Sequence, residues 1–300
     1  MSRWAENLMS SLDDRAFMIE TEIGPIQIAR EGDGPCVLSI HGSPGGFDQG
    51  LVWAQHLRQG SCQIVAPSRP GYLRTPIGSG RKPSEQADLY ASMLNALHID
   101  EVTILGISSG GPSAVHFAAR HPNRTKALLL DAAVLLPISP ASSAIERAVF
   151  ESGVGVWLTC QVAKRWPKLT AASMVDVLSA DLAKDRKRDA VDWITSNPAR
   201  LACVIELSAS LAPRRFREPG QRNDESNEIN LDPLPFTEVT VPTLIAQGNN
   251  DAFPLIDHAT SAASKISDAE LMLVEEGHHG LPWCRRIDTV ARRQLELALA

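Results

Sequence analysis

The residues with the clearest chemical potential are Gly106-Ile107-Ser108-Ser109-Gly110, a serine framed by two glycines in the pattern G-x-S-x-G. A β-type run, 102–105, precedes them and a helix-compatible run, 114–120, follows. Small residues are needed on both sides of the serine because a tight turn brings backbone segments close together. The pattern predicts a strand–turn–helix unit that presents Ser108 as a nucleophile. An ordinary Gly/Ser turn is the alternative.

A serine hydroxyl is a poor nucleophile at neutral pH, so it needs a base, and the base needs an orienting carboxylate. Asp251 is the favoured acid because it follows the predicted strand 243–246 through a turn rich in Gly and Asn. A helix N-cap is the other reading of Asp251. Asp131, which closes the predicted strand 127–130, is its rival for the acid role.

The base is expected on the loop that follows the predicted strand 271–274, where two histidines are adjacent. Side chains of neighbouring loop residues point in different directions, so only one of the two should reach Ser108. We favour His278, because a glycine directly precedes it, and keep His279 open.

Acyl transfer also needs hydrogen-bond donors for the oxyanion that forms on the attacked carbonyl. One predicted donor is the backbone N–H of Ser109, directly after the nucleophile. The second is the N–H of Ser43, in the loop His41-Gly42-Ser43-Pro44-Gly45-Gly46 that follows the predicted strand 37–40. Gly42 allows a sharp turn there and Pro44 restricts it.

Short apolar runs alternate with helical patterns along the chain, which predicts a mostly parallel sheet covered by helices on both faces. Residues 136–235 interrupt this rhythm with helical patterns and three tryptophans, Trp157, Trp166 and Trp193. We predict an α/β core formed by residues 1–135 and 236–300 and an inserted helical cap at 136–235. For the polar stretch 217–230, a disordered linker is the alternative. The remaining predicted elements are a hairpin over 17–22 and 26–30, a strand at 63–66, and helices at 84–97 and 283–300.

In this order of motifs the chain resembles the α/β-hydrolase superfamily with a cap domain. The matching pieces are the loop 41–46, the segment Pro67-Ser68-Arg69-Pro70-Gly71-Tyr72, the elbow 106–111, the segment 242–248 with Asp251, and Gly277-His278. The resemblance implies the α/β-hydrolase fold and a Ser-His-Asp triad, but no single activity.

Several departures narrow this resemblance. The nucleophile is Ser108, whereas haloalkane dehalogenases and epoxide hydrolases use Asp. The elbow differs from the G-G-S-W-G of proline iminopeptidases, although the loop 41–46 is similar to theirs. Ser68 replaces the Asp of the family's D-R-x-G segment, in which Arg69 is expected to be structural.

The favoured function is hydrolysis of small carboxylic esters through an acyl-enzyme. Other triad reactions stay open, because the cap selects the substrate: C–C bond, amide, lactone or thioester cleavage, or peracid formation. A non-enzymatic receptor for small molecules is the third hypothesis. The basic group at 214–222 is read as a solvated face rather than a site for an acidic substrate.

Bulk properties restrict these possibilities further. The 300 residues carry a net charge of −6, which disfavours nucleic acid as a partner. No apolar run is long enough for a signal peptide or a membrane span. Five scattered cysteines suggest reduced thiols and a cytoplasmic location. Neither a metal-ligand cluster nor a dinucleotide fingerprint occurs, so no metal and no cofactor are expected. The oligomeric state is left open.

Overall fold

The computed structural model describes residues 2–139, 153–253 and 256–300. An eight-stranded sheet forms its centre, in the order β1-β2-β4-β3-β5-β6-β7-β8. Strand β2 pairs antiparallel with β1 and with β4, and the other five pairings in the sheet are parallel. The strands are Phe17–Ile19 (β1), Ile26–Glu31 (β2), Cys36–Ile40 (β3), Gln63–Pro67 (β4), Val102–Ile107 (β5), Thr125–Asp131 (β6), Thr243–Gly248 (β7) and Ala269–Val274 (β8).

The parallel strands are apolar runs because both faces of the sheet are covered. Successive side chains point to opposite faces, so each strand supplies both halves of the core. In β5, Ile104 packs into the apolar cluster on one face and Leu105 into the cluster on the other. Leu128 and Leu129 of β6 are divided in the same way. The predicted α/β-hydrolase fold, with a mostly parallel sheet, is therefore confirmed.

Helices lie on both faces and at the N-terminus. They are Ser2–Asp13 (α1), Phe47–Trp53 (α2), Gln55–Gln59 (α3), Pro83–Ala96 (α4), Gly111–Arg120 (α5), Ile256–Ala263 (α11) and Asp288–Leu299 (α12). Helix α1 was not predicted, and its Met9 is fully buried. The last helix was predicted to begin at Trp283 but begins at Asp288. Trp283 belongs instead to a separate 3₁₀ turn, 281–283, which Gly280 precedes.

Among the described residues, five helices, here called the cap helices, follow β6 and precede β7. They are Gly153–Arg165 (α6), Pro167–Leu178 (α7), Lys184–Thr195 (α8), Pro198–Ala209 (α9) and Glu218–Ile229 (α10). Residues 140–152 of the predicted cap lie outside the described residues. The linker alternative for 217–230 is wrong, since α10 occupies this stretch and buries its Gln221, Asp224 and Glu228.

Candidate active site

Ser108 sits at the tip of the turn between β5 and α5. Its backbone φ is +48°, a left-handed conformation that non-glycine residues rarely adopt. A Cβ on Gly106 would lie 2.6 Å from the Cβ of Ala114, and one on Gly110 would collide with the carbonyl of Ile40. Glycines on both sides therefore let strand and helix close tightly and hold the serine in this strained turn.

The carboxylate of Asp251 lies just after the end of β7 and forms a hydrogen bond with one histidine. Its Oδ2 lies 2.9 Å from Nδ1 of His279, and its Oδ1 lies 3.1 Å from the same nitrogen. The backbone N–H of Phe253 and the side-chain amide of Gln247 also donate to this carboxylate. Asp251 is 4% exposed, so its carboxylate is nearly removed from water.

His278 points away from this pair, contrary to the prediction that favoured it as the base. Its Nδ1 accepts the N–H of Gly280 at 3.1 Å and lies 3.6 Å from Sγ of Cys284, while its ring packs on Trp283. Burial lowers the pKa of His278 to about 4, although Asp251 opposes the shift. The alternative that the sequence left open, His279, is the ring that Asp251 orients.

The loop 41–46 approaches Ser108 closely. A Cβ on Gly42 would lie 2.9 Å from the Cβ of Ser108. Gln49 clamps the loop, since its Oε1 accepts the N–H of Gly42 at 2.7 Å and its Nε2 donates to the carbonyl of Pro44 at 3.0 Å. Among the described residues, the backbone N–H of Ser43 has no backbone acceptor in the turns and loops, so it can donate to a ligand oxygen. Ser109 lies in the 3₁₀ turn 108–110 that directly follows β5.

His41 ties this loop to the neighbouring segment that contains Arg69. Its Nδ1 donates to the carbonyl of Gly42 at 2.7 Å, and its Nε2 accepts the N–H of Arg69 at 2.9 Å. Burial, with a further contribution from Arg69, lowers the pKa of His41 well below its ordinary value. The ring is therefore neutral, and it holds these two segments together.

A buried polar cluster connects the site to α10. The guanidinium of Arg69 binds both carboxylate oxygens of Asp224, at 2.9 and 2.5 Å, and the hydroxyl of Tyr72 donates to Asp224 at 2.5 Å. Sequence reasoning missed Asp224 because its segment was read as polar and irregular. The i, i+3, i+7 spacing of Gln221, Asp224 and Glu228 is the helical signal that could have found it.

Within the described residues, Asp131, the rival acid, makes no hydrogen bond or ion pair with His278 or His279. Its two carboxylate oxygens accept from Nε1 of Trp53 at 2.8 Å and Nε2 of Gln294 at 2.6 Å. Burial raises the pKa of Asp131 to about 6, although both hydrogen bonds oppose the shift. This carboxyl fastens α2 and α12 to the end of β6.

The segment after α7 joins a cap helix to the loops that carry Asp251 and His279. The carbonyl of Leu178 accepts the backbone N–H groups of Ala252 at 3.2 Å and His279 at 3.1 Å. Ser179 forms an isolated antiparallel bridge with Asp251. The geometry of the acid–base pair therefore depends on contacts with the cap helices.

In the part of the chain that the structure describes, no helix is long and apolar enough to cross a membrane. The same residues contain no group of three or more His, Cys, Asp or Glu side chains placed to hold a metal ion.

Comparison with known proteins agrees with this fold. A family model described as alpha/beta hydrolase fold matches residues 35–154. A solved alpha/beta hydrolase fold protein from Nakamurella multipartita is 32% identical, with a TM-score of 0.90 over 95% of this chain and 99% of that one. The chain belongs to the α/β-hydrolase fold family and is a hydrolase.

Two curated relatives have lower sequence identity to this chain, and the second is named by its substrate. The uncharacterized hydrolase YcgS of Bacillus subtilis is 26% identical over 271 residues, which cover 88% of this chain and 92% of that protein. The 2-hydroxy-6-oxo-6-phenylhexa-2,4-dienoate hydrolase of Burkholderia cepacia is 24% identical over 270 residues, 86% of each chain.

Proposed function

We propose that this protein hydrolyses small carboxylic esters through an acyl-enzyme, with Ser108 as nucleophile, His279 as base and Asp251 as the orienting acid. The observation that carries the proposal is the contact between Asp251 and Nδ1 of His279. It leaves Nε2 of His279 as the nitrogen that can take a proton. Because β5 and β7 both border β6 and run parallel, their carboxyl ends place Ser108 and Asp251 at the same edge of the sheet.

The reaction follows from these groups. Ser108 Oγ attacks the ester carbonyl while its proton passes to His279 Nε2, and Asp251 stabilises the resulting imidazolium. The negative charge that develops on the carbonyl oxygen is accepted by the N–H groups of Ser43 and Ser109. The tetrahedral intermediate then expels the alcohol, which receives the proton from His279. Water, activated by the same histidine, releases the acid and restores Ser108.

The charges around the nucleophile favour a neutral substrate. The buried guanidinium groups of Arg69 and Arg217 donate to backbone carbonyls of Ser109 and Gly45. Each is paired with a carboxylate, Arg69 with Asp224 and Arg217 with Asp48. Glu228 interacts with the side chain of Ser109 and adds a further carboxyl group. An uncharged ester avoids the repulsion that an anionic substrate meets beside these acids.

Cleavage of a C–C bond is the second candidate, because several curated relatives are named as hydrolases of 2-hydroxy-6-oxo dienoates. The same triad and oxyanion donors serve both reactions. The paired arginines argue against it, since such substrates carry a carboxylate.

Turnover of p-nitrophenyl acetate and of a 2-hydroxy-6-oxo dienoate, measured on the same preparation, separates the two candidates. We expect kcat/KM for the ester to exceed that for the dienoate, and Ser108→Ala to abolish it. A fluorophosphonate probe should label Ser108 in the wild-type protein. Faster cleavage of the dienoate favours the second candidate. If the protein shows no turnover of either substrate and no labelling, the proposal is overturned and a receptor is favoured.

A further inference from the structure

A chain of hydroxyl groups runs from the predicted oxyanion loop to α10. The hydroxyl of Tyr72 donates to Asp224, so it accepts from the Ser43 hydroxyl, which lies 2.9 Å away. Burial and the neighbouring Asp224 raise the pKa of Tyr72 well above its ordinary value, so this phenol keeps its proton. Ser43 is thereby fixed by a buried carboxylate on a cap helix.

A second connection leads from the same carboxylate to the elbow. Arg69, which binds Asp224 through two nitrogens, also donates from Nη1 to the carbonyl oxygen of Ser109 at 3.3 Å. Arg69 is 1% exposed and Asp224 is 4% exposed, so solvent screens these contacts little. Ser43 and Ser109 are the two residues whose backbone N–H groups are the proposed oxyanion donors.

We propose that Asp224 is the positioning residue of the oxyanion hole: through Tyr72 it sets Ser43, and through Arg69 it sets Ser109. The inference deepens the proposed function and rests on it. The cap helix α10 therefore completes the catalytic geometry from outside the core, and the hole is correctly formed only when α10 is seated. Asp224 itself does not touch the substrate.

The physical reason is the distance dependence of oxyanion stabilisation. Donors act only when they lie about 2.7–3.1 Å from the position that the charged oxygen takes in the transition state. A loop that loses its anchor samples other positions, and each lowers the stabilisation of the transition state without changing how the uncharged ester binds. The expected signature is a loss in kcat with little change in KM.

The test removes the Tyr72 hydroxyl and keeps the ring, which packs edge-on against His41. For Tyr72→Phe we expect kcat with p-nitrophenyl acetate to fall about tenfold or more, and KM to stay within about twofold. A trifluoromethyl ketone forms an oxyanion on Ser108, so its Ki should rise by the same factor as kcat falls.

The matched control is Tyr90→Phe. Tyr90 is the other tyrosine of the chain, is also fully buried, and bonds Gln86 at 3.5 Å rather than Ser43. Its removal tests whether loss of any buried hydroxyl beside Arg69 has the same effect. We expect kcat and the Ki of the ketone to change by less than about twofold in this variant.

Ser43→Ala is the second variant, because Ser43 is only partly buried and its truncation disturbs packing less. It should lower kcat by a similar factor, and the double variant with Tyr72→Phe should be no worse than either single one, since both break the same link. Asp224→Asn, which also weakens the Arg69 arm, should cost more than either.

Additive losses in the double variant, or an unchanged kcat and Ki in both single variants, overturn the inference. If Ser108→Ala is inactive in the same assay, the proposed function survives that result. If Ser108→Ala remains active, the proposed function fails instead, and the inference fails with it.

Discussion

At the scale of single residues, surroundings rather than residue type assign the roles. His278 and His279 are adjacent and chemically identical, yet one faces Cys284 in the interior and the other faces Asp251. The two acids at strand ends differ in the same way, because Asp131 is occupied by Trp53 and Gln294. Each role follows from the partner that the fold brings to the side chain.

Replacing the two histidines one at a time tests this assignment. His279→Gln should lower kcat for ester hydrolysis by about 10⁴-fold, because Ser108 loses its base. His278→Gln should keep kcat within about tenfold and lower the free energy of unfolding, since a packed buried ring is replaced. Steady-state kinetics and urea unfolding of both variants provide the check. The reverse pattern of activities restores His278 as the base.

The carboxyl group of Glu228 predicts a dependence of stability on pH. Burial and Asp224 raise its pKa to about 7, although the Ser109 hydroxyl and Arg69 oppose the shift, and Glu225 adds to it. An unfolded Glu loses its proton near pH 4.3, at about its ordinary pKa. Between these values the folded state holds the extra proton, so this group's contribution to the free energy of unfolding falls as pH rises towards about 7.

Glu228→Gln removes this penalty, since a neutral amide cannot ionise. We expect the difference in the free energy of unfolding, variant minus wild type, to be larger at pH 8 than at pH 5, as measured by urea unfolding. Glu225→Gln, at an exposed position of the same helix, gives the baseline for removing one negative charge. A difference between variant and wild type that does not change with pH contradicts the prediction.

At the scale of elements, the nucleophile depends on how closely β5 and α5 pack. Gly106 and Ala114 are the contact, because a Cβ on Gly106 would lie 2.6 Å from that of Ala114. Ser108 has a φ of +48°, and the close packing of β5 against α5 stabilises this strained conformation. Small residues at this contact are therefore required for the conformation of the turn at Ser108.

Gly106→Ala should lower the free energy of unfolding by about 1–3 kcal/mol, because the added methyl group overpacks the contact between strand and helix. Adding Ala114→Gly removes the clashing atom and should recover part of this loss. Urea unfolding of the single and double variants measures both effects. Strictly additive losses in the double variant are the contrary result, since they show that the two positions do not interact.

At the scale of the whole molecule, buried ion pairs fasten the cap helices to the core. Arg217, between the cap helices α9 and α10, is fully buried and binds both carboxylate oxygens of Asp48, at 3.0 and 2.7 Å. It also donates to the carbonyls of Gly45 and Ala212. The loop 41–46 is thus held from Arg217 as well as from Tyr72.

Arg217→Ala should lower the free energy of unfolding by about 3–5 kcal/mol, because Asp48 is left as an unpaired buried charge. Arg120→Ala breaks the partly exposed pair with Asp88, where the two side chains are 48% and 35% exposed, and should cost about 1 kcal/mol or less. Chemical denaturation of the two variants compares the sites directly. Equal losses contradict a special role for the buried pair.

The sequence by itself determined the parallel sheet, the elbow at Ser108 and the loop 41–46. These features depend on local patterns, namely apolar runs of strand length and glycines at turns, which neighbouring residues specify. The candidate acid, Asp251, also followed from its position after a strand. Each of these predictions needed only the order of elements along the chain.

Only the tertiary structure decided which histidine pairs with Asp251 and that the carboxylate of Asp224 is linked through Tyr72 to Ser43. The direction of a loop side chain depends on partners such as Cys284, which local sequence does not reveal. Asp224 and Arg69 are separated by 155 positions, so the local sequence around either residue does not show that they pair. A buried charge is stable only beside its partner, so folding had to bring the two together before either role existed.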